Sequence, residues 1–106
     1  MKKLFISQPM RGKTDKQIKS EREYAVAKAK DILGEEVEVI DSYFEDYNPS
    51  EGCIPMKYLA KSIELLADAD IAYFANGWQE ARGCKIEHDC VIAYGTAYIY
   101  GEEACK

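Results

Sequence analysis

Apolar and polar positions along this chain follow two periods, one of two residues and one near 3.6, and the switches between them divide it into strands and helices. Residues 3–7 are a short apolar run that stops at Gln8-Pro9-Met10-Arg11-Gly12, a buried strand running into a loop. Thr14 with Gln17 three residues on has the form of a capping box. Ile18, Ala25, Ala29, Ile32 and Leu33 give the helix it opens an apolar stripe, and Gly34 is placed to end it. Residues 36–41 alternate charged and apolar side chains, as a strand near a sheet edge does. Residues 42–53, with Tyr43, Phe44 and Tyr47, read as an aromatic-rich loop. Pro55 suits the first turn of a second helix, whose expected buried face is Met56, Leu59, Ala60, Ile63, Leu66 and Ala67. Residues 69–74 follow as a central strand, and Asn76-Gly77-Trp78 breaks it. A third helix covers residues 82–94 and a last strand residues 96–100.

Strands that alternate with helices along the whole chain imply an α/β fold. The expectation is a three-layer, flavodoxin- or Rossmann-like parallel sheet of four to five strands with helices on both faces. Ligands of such sheets bind beyond the carboxyl ends of the strands, so the loops after Ser7, Asp41 and Phe74 are expected to line one crevice.

Composition narrows the function. A length of 106 residues with 47% hydrophobic content fits a single domain, residues 1–106, with a real core but little room for a deep self-contained pocket. A net charge of −5 argues against nucleic-acid polymers and anionic membranes, which call for a basic face. No apolar run approaches the roughly 20 residues that span a bilayer, and the expected location is cytoplasmic. Cys53, Cys84, Cys90 and Cys105 lack paired C-x2-C spacing and read as reduced thiols. Cys84 and His88 lie one turn apart, but two ligands without a second pair make no metal site, so neither metal nor cofactor is expected.

The residue with the most chemical content is Glu87. At about 100° per residue it falls between Val91 and Tyr94 with Ile86 and Cys90 beside them, while Lys85, His88 and Asp89 gather on the other side. Burying a carboxylate costs free energy and raises its pKa. Two explanations stand: a structural hydrogen bond to a backbone N–H or a tyrosine, or a helix start that opens into a cleft where the acid reacts.

The loop of Ser7, Gln8, Met10, Arg11, Gly12 and Lys13 brings a hydroxyl, a guanidinium, a flexible glycine and an ammonium to the start of a helix, where anions are favoured. It is neither a Walker loop nor a G-x-G-x-x-G turn, and a solvated turn with surface charges is the alternative reading. Asp41 ends the second strand at the crevice and could hold a hydroxyl, whereas Asp70 starts the third strand at the opposite end as a turn residue. Trp78, Tyr43 and Tyr73 could stack a base or belong to the core. His88 is expected on the surface.

Together these motifs resemble the nucleoside 2-deoxyribosyltransferase-like superfamily, and within it the short phage and bacterial members of uncharacterised function. The resemblance rests on Ser-Gln-Pro-Met-Arg-Gly at residues 7–12, Tyr-Leu-x-Lys-Ser at 58–62, Ala-Asp at 69–70, Gly-Trp at 77–78 and Ala-Arg-Gly-Cys-x-Ile-Glu-His at 81–88, and it covers nearly the whole chain. It implies cleavage or transfer at the N-glycosidic bond of a (deoxy)nucleoside or its 5′-monophosphate, with Glu87 as the nucleophile. It also implies a phosphate held by Ser7, Arg11 and Gly12 with Lys13 nearby, Gly83 on the pocket wall, and pockets completed by another copy of the chain in a homodimer or larger homo-oligomer. The catalytic position beside the departing base is Ser62, where the superfamily's enzymes carry an aspartate. A serine is no general acid near neutral pH, and losing such assistance typically removes 10²–10⁴-fold in rate.

Two functions therefore compete: a glycosidase or glycosyl transferase acting through Glu87, and a non-catalytic protein that captures a nucleotide or nucleotide-derived signal in the same crevice. A purely structural or interaction role is a third.

Overall fold

The computed structural model describes residues 1–40 and 48–101. In chain order its elements are β1 (Lys2–Ser7), α1 (Asp15–Leu33), β2 (Val37–Val39), α2 (Ile54–Leu66), β3 (Ile71–Phe74), a 3₁₀ turn (Trp78–Glu80), α3 (Arg82–Tyr94) and β4 (Ala97–Tyr100). The strands form one sheet in the order β2-β1-β3-β4, and every pairing is parallel. The result is a three-layer α/β fold with β2 at an edge and β3 inside, as the periodicity implies.

Leu4, Phe5 and Ile6 are all buried, and so are Ile71 to Phe74. Continuous apolar runs of this kind belong to strands covered on both faces. Side chains alternate between the faces and sort into two clusters. Leu4, Ile6, Ile71 and Tyr73 join Ala25 and Ala29 of α1, whereas Phe5, Ala72 and Phe74 join Leu66 of α2 and Val91 of α3.

Local chemistry sets the ends of α1. The Thr14 hydroxyl accepts from the Gln17 N–H at 3.1 Å and the Gln17 side chain accepts from the Thr14 N–H at 2.9 Å, completing the capping box. Gly34 stops the helix at φ +70°, a left-handed conformation that glycine adopts without strain. Asp70, the turn residue before β3, accepts from the Lys3 backbone N–H at 2.7 Å and ties the start of β1 to that turn.

Three expectations need correcting. Of the stripe assigned to α2, Leu66 alone is buried, and Met56 is 65% exposed, because among the described residues that helix meets the rest of the chain chiefly through its C-terminal turn and α3. On α3 the buried positions are Cys84, Glu87 and Val91, and Tyr94 points outward, so the inward arc is rotated toward the N-terminal turn relative to the one expected. On α1, Ile32 is exposed, because the row facing the sheet runs every fourth residue through Ala25, Ala29 and Leu33 and leaves Ile32 on the flank.

Candidate functional site

The order β2-β1-β3-β4 makes consecutive connections diverge from β1, so a crevice opens between the carboxyl ends of β1 and β3. Ser7 and Phe74 are register partners, which sets the loops that follow them at one level. From across this gap α3 presents the buried side of its first turns.

Glu87 and Ser7 meet there. The Ser7 hydroxyl donates to a Glu87 carboxylate oxygen at 2.6 Å, and both residues are buried. Burial pushes the Glu87 carboxyl up from 4.5 to about 7, against the opposing effect of that hydrogen bond. Cys84 lies one turn earlier on the same face, also within hydrogen-bonding reach of Ser7, and burial raises its thiol to about 11. A carboxyl near 7 divides between acid and anion around neutrality, so it can serve as nucleophile, general base or general acid.

Beside this pair lies a crevice of about 570 Å³ lined by Pro9, Met10, Arg11, Lys13, Asn76, Gly77, Glu80, Ala81, Arg82 and Gly83. Its size falls within the ~300–1,000 Å³ range of small-molecule pockets. Gly77 and Gly12 turn the flanking loops with φ of +87° and +79°. No side chain caps α3 at Ala81, so the first amides of that helix are open to an anion alongside Arg11 and Arg82. Neither guanidinium has a hydrogen bond or ion pair among the described residues. Glu87 itself does not line the crevice; Gly83, one turn before it, does.

The other candidate residues are distributed as follows. Gln8 is buried and used internally: its amide nitrogen donates to Glu21 at 2.9 Å, and its oxygen accepts from Arg22 at 3.1 Å. Lys13 lines the crevice but is ion-paired with Glu21 at 2.6 Å. Ser62 is half-buried on α2, and no hydrogen bond joins it to Glu87. Gly83 also borders an apolar groove with Met56, Leu59 and Ile86. Asp41, Tyr43, Phe44 and Tyr47 lie outside the described residues.

Trp78 packs within the protein. Its ring stacks on His88 at 4.1 Å between centroids and on Tyr100 at 5.7 Å, against Phe74. His88 is consequently not the surface residue expected: it is half-buried, and its Nε2 lies 2.8 Å from the Tyr100 hydroxyl. The 3₁₀ turn and β4 reach around α3 to cover the side that helical periodicity alone marks as polar.

Sequence reasoning missed Arg82 and Asn76 as crevice residues, Cys84 as the neighbour of Ser7, and Glu21 as the partner of Lys13. The Cys84 contact was accessible in principle, since positions i and i+3 share a helix face. Pairing of Glu21 with Lys13 depends on how the loop folds back on α1 and left no periodic trace. Among the described residues no His, Cys, Asp and Glu side chains group as a metal site, and no helix is long and apolar enough to cross a membrane. No protein-family model matches the chain, and no curated protein or solved structure matches it either.

Proposed function

We propose that the protein cleaves or exchanges the N-glycosidic bond of a (deoxy)nucleoside or its 5′-monophosphate through Glu87. The observation that carries this reading is a carboxyl near 7, hydrogen-bonded by Ser7 and buried just behind the wall of a crevice whose two arginines have no partner among the described residues. The resemblance to the nucleoside 2-deoxyribosyltransferase-like superfamily supports it independently of the electrostatics.

In this reaction the ionised Glu87 forms an ester bond to the anomeric carbon as the C–N bond breaks, and the electron pair leaves with the base. Water supplies the proton that the departing ring nitrogen takes, because Ser62 offers no acid. Water or a second base then displaces Glu87 and restores its carboxylate, with overall retention at the anomeric carbon. Ser7 stabilises the anion before attack, and Arg11 and Arg82 face the phosphate of a 5′-monophosphate. The substrate is a small molecule, and no cofactor enters any step.

One observation favours a second reading, non-catalytic capture of a nucleotide: Glu87 is 7% exposed and stands behind the wall of the crevice. Incubation with deoxynucleosides and their monophosphates separates the two. Catalysis releases free base from the wild type and none from Glu87→Gln. Release that persists in Glu87→Gln refutes the nucleophile; no release, with a nucleotide-dependent rise in melting temperature, selects the binder.

Self-association belongs to the same proposal. Met56, Ile86 and Tyr94 leave apolar surface open on α2 and α3, as expected of a face that another copy covers. Light scattering that finds only a monomer at micromolar concentration overturns it.

A further inference from the structure

We infer that Glu21 of α1 is a positioning residue for the loop that carries Arg11: its carboxylate staples both ends of residues 8–13 and so holds Arg11 at the crevice in the arrangement that takes an anion. One oxygen, Oε1, accepts from the Gln8 amide nitrogen at 2.9 Å, and the other, Oε2, accepts from the Lys13 ammonium at 2.6 Å. A single side chain therefore holds the loop where it leaves β1 and again where it reaches the α1 cap at Thr14. The inference rests on the anion reading of the crevice and on no chemistry at Glu87.

The two attachments leave only the middle of the loop unsecured. At the Gln8 end the amide nitrogen also meets the Ile18 carbonyl at 3.4 Å and the amide oxygen accepts from Arg22 at 3.1 Å, which allows the buried amide one orientation. At the Lys13 end a turn closes the loop: the Lys13 backbone N–H donates to the Met10 carbonyl at 3.2 Å, with Gly12 in the left-handed conformation. Between them Arg11 is exposed, and a β-carbon on Gly12 would meet nothing within 4 Å. The order of this stretch is thus set by its ends, and both ends meet on Glu21.

Charge and positioning predict opposite consequences of removing that carboxylate. Glu21 puts a negative charge beside Lys13, which lines the crevice, and so opposes an anion there. On charge alone its loss frees Lys13 and tightens anion binding. As a staple its loss obliges the ligand to order the loop, and binding weakens. Two features favour the staple. One of the two bonds goes to a neutral amide, which balancing charge does not require, and the Lys13–Glu21 pair is only 26% and 31% exposed at its side chains, so solvent screens it less than a surface pair.

The test uses inorganic phosphate and needs no turnover. ¹⁵N-labelled wild type, Glu21→Gln, Lys13→Met and the double variant are titrated with phosphate at constant ionic strength, well below melting. Heteronuclear NOEs of the Arg11 and Gly12 amides are recorded before phosphate is added. Glutamine keeps the size of the side chain but offers one acceptor oxygen and turns an NH₂ toward the second donor, so the bridge is lost. Glu21→Gln lowers both NOEs and weakens phosphate binding about two- to tenfold. Lys13→Met, which cuts one end only, acts in the same direction, and the double variant is no weaker than the weaker single because both break one bridge. A residue that merely stabilised the fold would leave the NOEs and the affinity of the folded protein unchanged. Unchanged NOEs, or equal or tighter binding by Glu21→Gln, overturn the inference alone. A double variant weaker than both singles refutes the bridge as their common cause and overturns it too. Wild-type protein that binds no phosphate overturns the anion reading and the inference with it.

Discussion

Glu87→Gln should stabilise the protein, and by an amount that grows with pH. The wild-type carboxyl titrates near 4.5 when unfolded and near 7 when folded. Below 4.5 it is protonated in both states and its burial costs little. Between 4.5 and 7 the folded state retains a proton that the unfolded state has lost, so stability falls as pH rises. Above 7 both states are ionised and the whole penalty is present. At 1.36 kcal/mol per pH decade this amounts to about 3 kcal/mol. Glutamine carries no charge at any pH and its oxygen still accepts from Ser7, so it avoids the penalty. Urea melts of both proteins at pH 4.5, 6 and 8 read the difference directly, and other titrating groups cancel in the comparison. The mutant advantage should rise from near zero to about 3 kcal/mol, equivalent to roughly 10–20 °C in melting temperature for a domain of this size. An advantage that is constant with pH, or largest in acid, would refute the burial argument.

Other predictions follow from the same site. If Glu87 is the nucleophile, base release should climb with pH through about 7 and level off above it, because only the anion attacks; activity that is highest below pH 5 contradicts this. Ser7→Ala removes the hydrogen bond that favours the ionised form, so the acid limb should move to higher pH and stability at pH 8 should fall by about 1–3 kcal/mol, read by urea melts. Arg11→Ala and Arg82→Ala should each weaken nucleoside monophosphate binding about ten- to a hundredfold while leaving nucleoside binding nearly unchanged, as measured by calorimetry. Trp78→Ala opens the stack on His88 and Tyr100 and should lower stability by about 3 kcal/mol without altering the pH midpoint of Glu87.

The layered fold was legible because its signals are local. Thr14 and Gln17 mark a helix start through bonds only three residues apart, and Leu4 to Ile6 read as a strand covered on both faces. Glu87 was legible as a desolvated acid for a related reason: its helix neighbours are mostly apolar. Signals that failed were those set by distant packing. Whether Tyr94 or Cys84 faces inward depends on the angle at which α3 meets β3, which periodicity leaves open by about one residue in either direction. His88 counts as polar on its helix, yet the 3₁₀ turn and β4 fold over it. Gln8 and Lys13 looked like ligand contacts because a loop sequence does not reveal that Glu21 stands behind it.

The sheet order also shapes how the polypeptide matures as it leaves the ribosome. Of the four strands, β1 leaves the ribosome first yet lies in the interior of the sheet, and Leu4 meets its partner Ile71 only after the intervening segment has been synthesised. At about 5–20 residues per second that interval lasts several seconds, and closing so long a loop is among the slower steps of folding. Throughout that time Leu4, Phe5 and Ile6 have an unfilled flank, so within this sheet β1 is the strand that a holding chaperone would grip first.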